Sequence, residues 1–143
     1  VNFWQLADFV VPAVPAGYFF GRIGNFINGE LYGRASGKFW GMYFPLDSYL
    51  LLRHPSQLYE AFFEGLVLFL ILWKIRNHEK IQGKMLAVYI LGYAFWRFFM
   101  EFFREPDEQI SLVLGFLTRG QILSILMMIL GIFLYWKKRK TLV

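Results

Sequence analysis

"GQILSILMMILGIFLYWKKRK", Gly120 to Lys140, decides the fold class. Gly120 to Trp136 carries no charge, and the four residues that follow are all basic. A helix crosses a hydrocarbon core of roughly 30 Å with about 20 mostly apolar residues. A basic run at the end of such a stretch is an anchor on the cytoplasmic side. A helix of a soluble bundle would keep a polar face toward water, and this stretch offers none.

The rest of the chain agrees. It is 57% hydrophobic and 17% charged, against about 45–50% and about 25% in ordinary soluble domains. The sequence pI of 9.6 raises nucleic acid as a partner, but eight of the fifteen Lys and Arg fall in Lys74 to Lys84 and Lys137 to Lys140. Both stretches flank apolar segments, so the basicity reads as juxtamembrane and nucleic acid is excluded. With no cysteine, disulfides, thiolate metal sites and a cysteine nucleophile are excluded too.

Three further stretches qualify as spans. Residues 57–75 and 85–103 are apolar with few charges, and residues 3–20 carry Asp8, Pro12 and Pro15 and read as a kinked span. With 120–136 they make an all-α, polytopic helical membrane protein of about four transmembrane helices. It forms one integral domain over residues 1–143, without internal repeats. Val1 stands where a start Met would, with no cleavable leader; the expectation is the C-terminal part of a longer chain. The basic link and the basic tail are two helices apart and therefore lie on one side, which the charge rule makes cytoplasmic. Gly21 to Pro55 and Arg104 to Arg119 then form a polar loop region on the outer face.

Each ionisable group inside a span costs about 2.5–3.5 kcal/mol on insertion scales and calls for a reason. In "YAFWRFFMEFFREPD", Tyr93 to Asp107, helical spacing puts Tyr93, Arg97, Met100, Glu101 and Arg104 on one stripe, with phenylalanines on the other faces. Arg97 and Glu101 can pair at i,i+4. A purely structural bridge would explain one pair; a second arginine and a tyrosine on the same stripe point to a site. In "RHPSQLYEAFFEG", Arg53 to Gly65, Pro55 suits the first helical position, and Gln57, Glu60 and Glu64 share one face. His54 reads equally as an interfacial or capping residue and as a functional one. His78 is a solvated residue on the opposite side, so the two histidines make no metal site.

"GRIGNFINGELYGR", Gly21 to Arg34, places Arg22, Asn25, Asn28, Glu30 and Arg34 among four glycines at the outer boundary. Its glycine spacing fits neither a dinucleotide fingerprint nor a P-loop. Arginines such as Arg22 and Arg97 grip a phosphodiester bidentately, and Asn25 and Glu30 suit hydroxyls. The residues therefore describe a lipid-phosphate site at the outer leaflet, with no metal.

GRIGNFINGELYG, HPSQLYE (His54 to Glu60), the Tyr93…Arg97…Glu101…Arg104 helix ending in REPD, and RGQILS (Arg119 to Ser124) together resemble the bacterial prolipoprotein diacylglyceryl transferases, in that family's order. The resemblance implies an inner-membrane enzyme that moves the diacylglyceryl group of phosphatidylglycerol to the lipobox cysteine of a prolipoprotein, without a cofactor. It implies catalytic roles for Arg22, Arg97 and Glu101. Substrate binding would fall to Arg22, Asn25, Glu30, Gly33, Tyr93 and Arg104, with His54 and Gln57 from the HPSQLYE stretch. Two departures stand out: the family's upstream helices, with a functional Tyr and a His-Gly-Gly element, are not in this sequence, and Leu126 replaces a usual Pro. The competing class is a non-catalytic phospholipid-binding subunit or a small transporter; a transporter would show inverted repeats.

Overall fold

The computed structural model describes residues 2–105 and 116–139. Among them every regular element is helical: α1 (Phe3–Val10), α2 (Val14–Ile27), α3 (Ser56–Glu60), α4 (Leu68–Ile75), α5 (Met85–Met100) and α6 (Arg119–Arg139). The all-α expectation therefore holds. One helix, Arg119–Lys137, is long and apolar enough to cross a membrane, with a mean hydropathy of 1.6. Pro106 and Asp107 of the REPD ending, and Lys140 of the basic tail, lie outside the described residues.

Four boundaries differ from those read in the sequence. Residues 3–20 are two helices joined by a 3-10 turn, Val11–Ala13, where Pro12 removes a backbone donor. The second of these runs on to Ile27, so the first half of the glycine-rich signature is helix rather than loop. Pro55 is the N-cap of α3 and not its first helical residue. The α5 helix stops at Met100, three residues early. Phe103 and Arg104 are needed elsewhere: Arg34 N donates to Phe103 O at 2.9 Å, and Gly33 pairs with Arg104 in an antiparallel bridge.

The helix from Ser56 to Ile75 is continuous but widens into a π turn at Ala61–Val67. Such turns recur at functional sites because they re-aim side chains, and this one carries Glu64. Its Gly65 lies against α2 so closely that an added Cβ would sit 2.7 Å from Phe19 Cβ.

Ala7, Val11, Leu68, Leu72 and Met85 form an apolar core at the other end of the helices. Asp8, an anomaly in an apolar stretch, accepts hydrogen bonds from the backbone N–H groups of Gly83 and Met85. It thereby caps the start of α5, where a negative charge is also favoured by the helix dipole.

Candidate functional site

The polar faces of α2, the Ser56–Ile75 helix and α5 meet in one buried cluster. Glu60 is 1% exposed and lies at its centre. Arg22 Nε approaches Glu60 Oε2 at 2.8 Å, Arg97 Nη1 at 3.5 Å and Arg104 Nη1 at 3.9 Å. Arg97 also pairs with Glu101 at 3.1 Å, one helical turn on, and reaches Glu64 at 3.9 Å. Three arginines and three glutamates thus share one site, and their formal charges cancel.

Tyr18 ties these groups together. Its oxygen receives Arg22 Nε–H at 2.9 Å, and its hydroxyl reaches both Glu64 and, at 3.3 Å, Glu60. Tyr93 packs edge-on against the Tyr18 ring at 5.7 Å. Thr118, at the start of α6, donates to Glu101 Oε1 at 3.1 Å. Gly120 leaves room for that carboxylate, since a Cβ there would collide with it.

The second half of the signature turns sharply beside this cluster. Gly29 (φ 70°) and Leu31 (φ 56°) both adopt left-handed backbone on either side of Glu30. For leucine this conformation is unfavourable, the kind of strain that accumulates at functional sites. The turn sends Glu30 Oε1 to Asn25 Nδ2 at 2.9 Å, and sends the Glu30 carbonyl to Gln57 Nε2 at 2.7 Å. Gly33 is then wedged between two strands of backbone, where a Cβ would lie 2.7 Å from His54 O.

The expected residues therefore fall into three groups. Arg22, Arg97, Glu101, Arg104 and, through Tyr18, Tyr93 meet in the charged cluster. Asn25 and Glu30 pair with each other, and Gln57 holds the Glu30 carbonyl. His54 stands apart: its Nδ1 lies 3.2 Å from Tyr59 Oη, and its ring packs edge-on against Phe103. It lines an apolar pocket of about 500 Å³ with Trp40, Tyr59, Phe63 and Met100. Burial, with Lys38 nearby, lowers the His54 pKa, so the ring is neutral at pH 7.

Sequence reasoning missed the three residues at the middle. Glu60 and Glu64 were placed on the inward face but given no role, and Tyr18 was read as part of an apolar run. The available signal was the i,i+4 spacing of Tyr18 and Arg22. It also missed Asp47, which holds Arg53 through two hydrogen bonds of 2.8 and 3.0 Å and receives the N–H groups of Tyr49 and Leu51. The bonds from Arg53 hold the Asp47 carboxyl down to about 2. Arg53 also pairs with Glu105 at 2.9 Å, tying the loop after α2 to the chain beyond α5.

Five buried side-chain atoms make no hydrogen bond among the described residues: Glu64 Oε1, Arg97 Nη1 and Glu101 Oε2, which are held in ion pairs, and Gln57 Oε1 and Glu60 Oε1. All five belong to this site. Buried polar groups are normally satisfied, so their concentration here marks a place built to receive something polar.

Among the described residues, a helical bundle that gathers Arg22, Glu60, Glu64, Arg97 and Glu101 inside, with Phe20, Phe95, Ile129 and Phe133 among many apolar side chains facing out, is built around a polar site. The comparisons give it a family. A sequence profile described as prolipoprotein diacylglyceryl transferase matches residues 1–137. Proteins named phosphatidylglycerol–prolipoprotein diacylglyceryl transferase are similar throughout. The one from Chlorobaculum tepidum is 53% identical over 141 residues, covering 98% of this chain and 49% of that protein. Those from Rickettsia bellii and Legionella pneumophila are 54% and 49% identical, each covering 96% of this chain and 53% and 54% of theirs. The chain belongs to the prolipoprotein diacylglyceryl transferase family. It spans about half the length of these relatives.

Proposed function

We propose that this chain is the C-terminal half of an integral membrane transferase that moves the diacylglyceryl group of phosphatidylglycerol to the lipobox cysteine of a prolipoprotein. The observation that carries the reading is the convergence of Arg22, Arg97 and Arg104 on the buried Glu60 carboxylate. Arginines held in this way are preorganised, and in a water-poor site they stabilise charge at little reorganisation cost.

In this reading the substrate thiolate attacks the glyceryl carbon next to the phosphate. The sulfur–carbon bond forms, the carbon–oxygen bond breaks, and the electron pair leaves with glycerol phosphate. Arg22 and Arg97 exchange part of their pairing with Glu60 for the phosphate oxygens as charge builds there. Glu101 holds the Arg97 fork in orientation, and Asn25 and Glu30 position the head group. The nucleophile belongs to the substrate, which fits a chain without cysteine.

Residues 3–20, 57–75, 85–103 and 120–136 serve as four spans of the bacterial inner membrane, with the signature at the outer face and the C-terminus in the cytoplasm. The basic flanks of the last span and of the link at 74–84 support this orientation.

The test is transfer by the full-length protein, reconstituted in vesicles of phosphatidylglycerol, to a lipobox peptide. The expected products are a thioether-linked diacylglyceryl peptide and glycerol phosphate in equal amounts. A peptide with Ser for Cys should give neither. Absence of both products with the cysteine peptide contradicts the reading.

A further inference from the structure

Tyr18 and Arg22 lie one turn apart on α2, and Glu64 faces them from the π turn. Arg22 has a single Nε–H, and its bond goes to Tyr18 Oη at 2.9 Å. The contact of the same nitrogen with Glu60 Oε2 at 2.8 Å is an ion pair. Tyr18 has one hydroxyl proton of its own. Its oxygen lies closer to Glu64 Oε2 than to Glu60 Oε2, so Glu64 receives that proton's bond. The result is a directed chain from guanidinium to phenol to carboxylate. The close approach of Gly65 to Phe19, each next in sequence to one of the partners, brings the hydroxyl and the carboxylate together.

Both anchors of Arg22 hold its Nε edge. A guanidinium carries five N–H donors in one fixed plane. Two parallel bonds to a phosphate can come from its side, through Nε and one Nη, or from its end, through both Nη groups. With Nε–H committed to Tyr18, the end-on fork is the one left for a ligand.

We infer that Tyr18, backed by Glu64, is the positioning residue that aims Arg22 end-on at the departing phosphate and holds it there while its pairing with Glu60 is given up. This rests on the transferase reading above and adds to it a residue outside the motifs that carry the family resemblance. Tyr18 touches no reacting atom and acts through the direction of one N–H bond. Preorganised donors count most where charge builds, so its effect falls on phosphate departure rather than on lipid binding.

The experiment is a double-mutant cycle on the full-length protein, with Tyr18→Phe made in the wild type and in Arg22→Lys. Phenylalanine keeps the ring that packs against Tyr93 and removes only the hydroxyl. In the wild type, kcat should fall about tenfold or more, the scale of one hydrogen bond to a charged group. KM for phosphatidylglycerol should move by less than about threefold. Lysine has no Nε–H edge to steer, so in Arg22→Lys the same change should alter kcat by less than about twofold. An equal loss in both backgrounds, or an unchanged kcat in Tyr18→Phe, overturns the assignment. Because Tyr18→Phe leaves the buried Glu64 carboxylate without this donor, Tyr18→Phe/Glu64→Leu repeats the measurement with both ends of the bond removed. Arg97 keeps Glu60 and Glu101 there. This variant should show at least the same loss, and wild-type kcat in it overturns the proposal. Calorimetry separates the proposal from the transferase reading. Glycerol phosphate carries the charge that builds on the leaving group, so Tyr18→Phe should bind it about tenfold more weakly than the wild type does. Equal affinities overturn the proposal. The weaker binding, found alongside a wild type that transfers nothing, sustains the positioning role and refutes the transferase reading.

Discussion

Arg22 Nε lies 2.8 Å from Glu60 Oε2, and this contact joins the glycine-rich signature to the helix that begins at Ser56. Because Arg97 and Arg104 reach the same oxygen, Glu60 neutralises and orients the arginines that a phosphate would meet. Its removal should therefore harm the fold as well as the chemistry. Glu60→Ala leaves three cations without their shared counter-charge, and breaking a buried pair from one side costs roughly 3–5 kcal/mol. Thermal unfolding in detergent should register that loss, and an unchanged midpoint would show that the cluster is not held by this carboxylate.

Gly120→Ala should act in the opposite sense, on function more than on stability. The new Cβ would displace the Glu101 carboxylate, which can swing away at small cost to packing. Doing so gives up its bonds to Arg97 and Thr118. Transfer should fall at least about tenfold, the scale of one lost charge-assisted hydrogen bond, with the unfolding midpoint nearly unmoved. Equal losses in both readouts would argue against an orienting role for Glu101.

Gly33→Ala tests the joint between the loop after α2 and the chain beyond α5. Its side chain would overlap the backbone carbonyl of His54 and that of Phe103, and backbone cannot yield as a side chain tip does. We expect a destabilisation of about 1–3 kcal/mol or more, together with weakened lipid binding, since the same joint carries Arg104. Full stability in Gly33→Ala would mean that the joint opens freely.

The loop over residues 35–52 should be insensitive to pH over the physiological range. The Asp47 carboxyl is held down to about 2 by Arg53, below its unfolded value of about 3.9. A depressed carboxylate contributes stability that is complete above the unfolded value and is lost as pH falls through the folded one. Proteolysis of residues 35–52 should thus stay slow from pH 8 to pH 5 and accelerate only on acidification below about 4. Asp47→Asn should make the loop susceptible at neutral pH.

Parts of this site were legible before any coordinates. Gln57, Glu60 and Glu64 share a helical face by spacing alone, and the Arg97–Glu101 pair follows from i,i+4 geometry. Local periodicity could place each polar row but could not say which rows would meet. That is why the arginines read as open phosphate ligands, whereas Glu60 already engages them. Tyr18 escaped notice because an apolar run hides one hydroxyl, whose value depends on carboxylates 42 and 46 residues away. The early end of α5 was equally hidden: nothing local stops a helix at Met100, and the cause is the pairing of Arg104 with Gly33. The Asp47–Arg53 clamp lies in a loop without periodicity, where sequence patterns carry little information.

The central claim, that a buried arginine cluster drives departure of a phosphate, is tested most directly at Arg97. The measurement is single-turnover transfer from phosphatidylglycerol to a lipobox peptide by the full-length enzyme carrying Arg97→Ala or Arg97→Lys. The account predicts a loss of at least about 100-fold for Ala, the scale of one preorganised donor at a developing negative charge. Lys should restore only part of it, because a point charge lacks the bidentate fork, and both variants should stay folded. Wild-type transfer by folded Arg97→Ala would contradict the account.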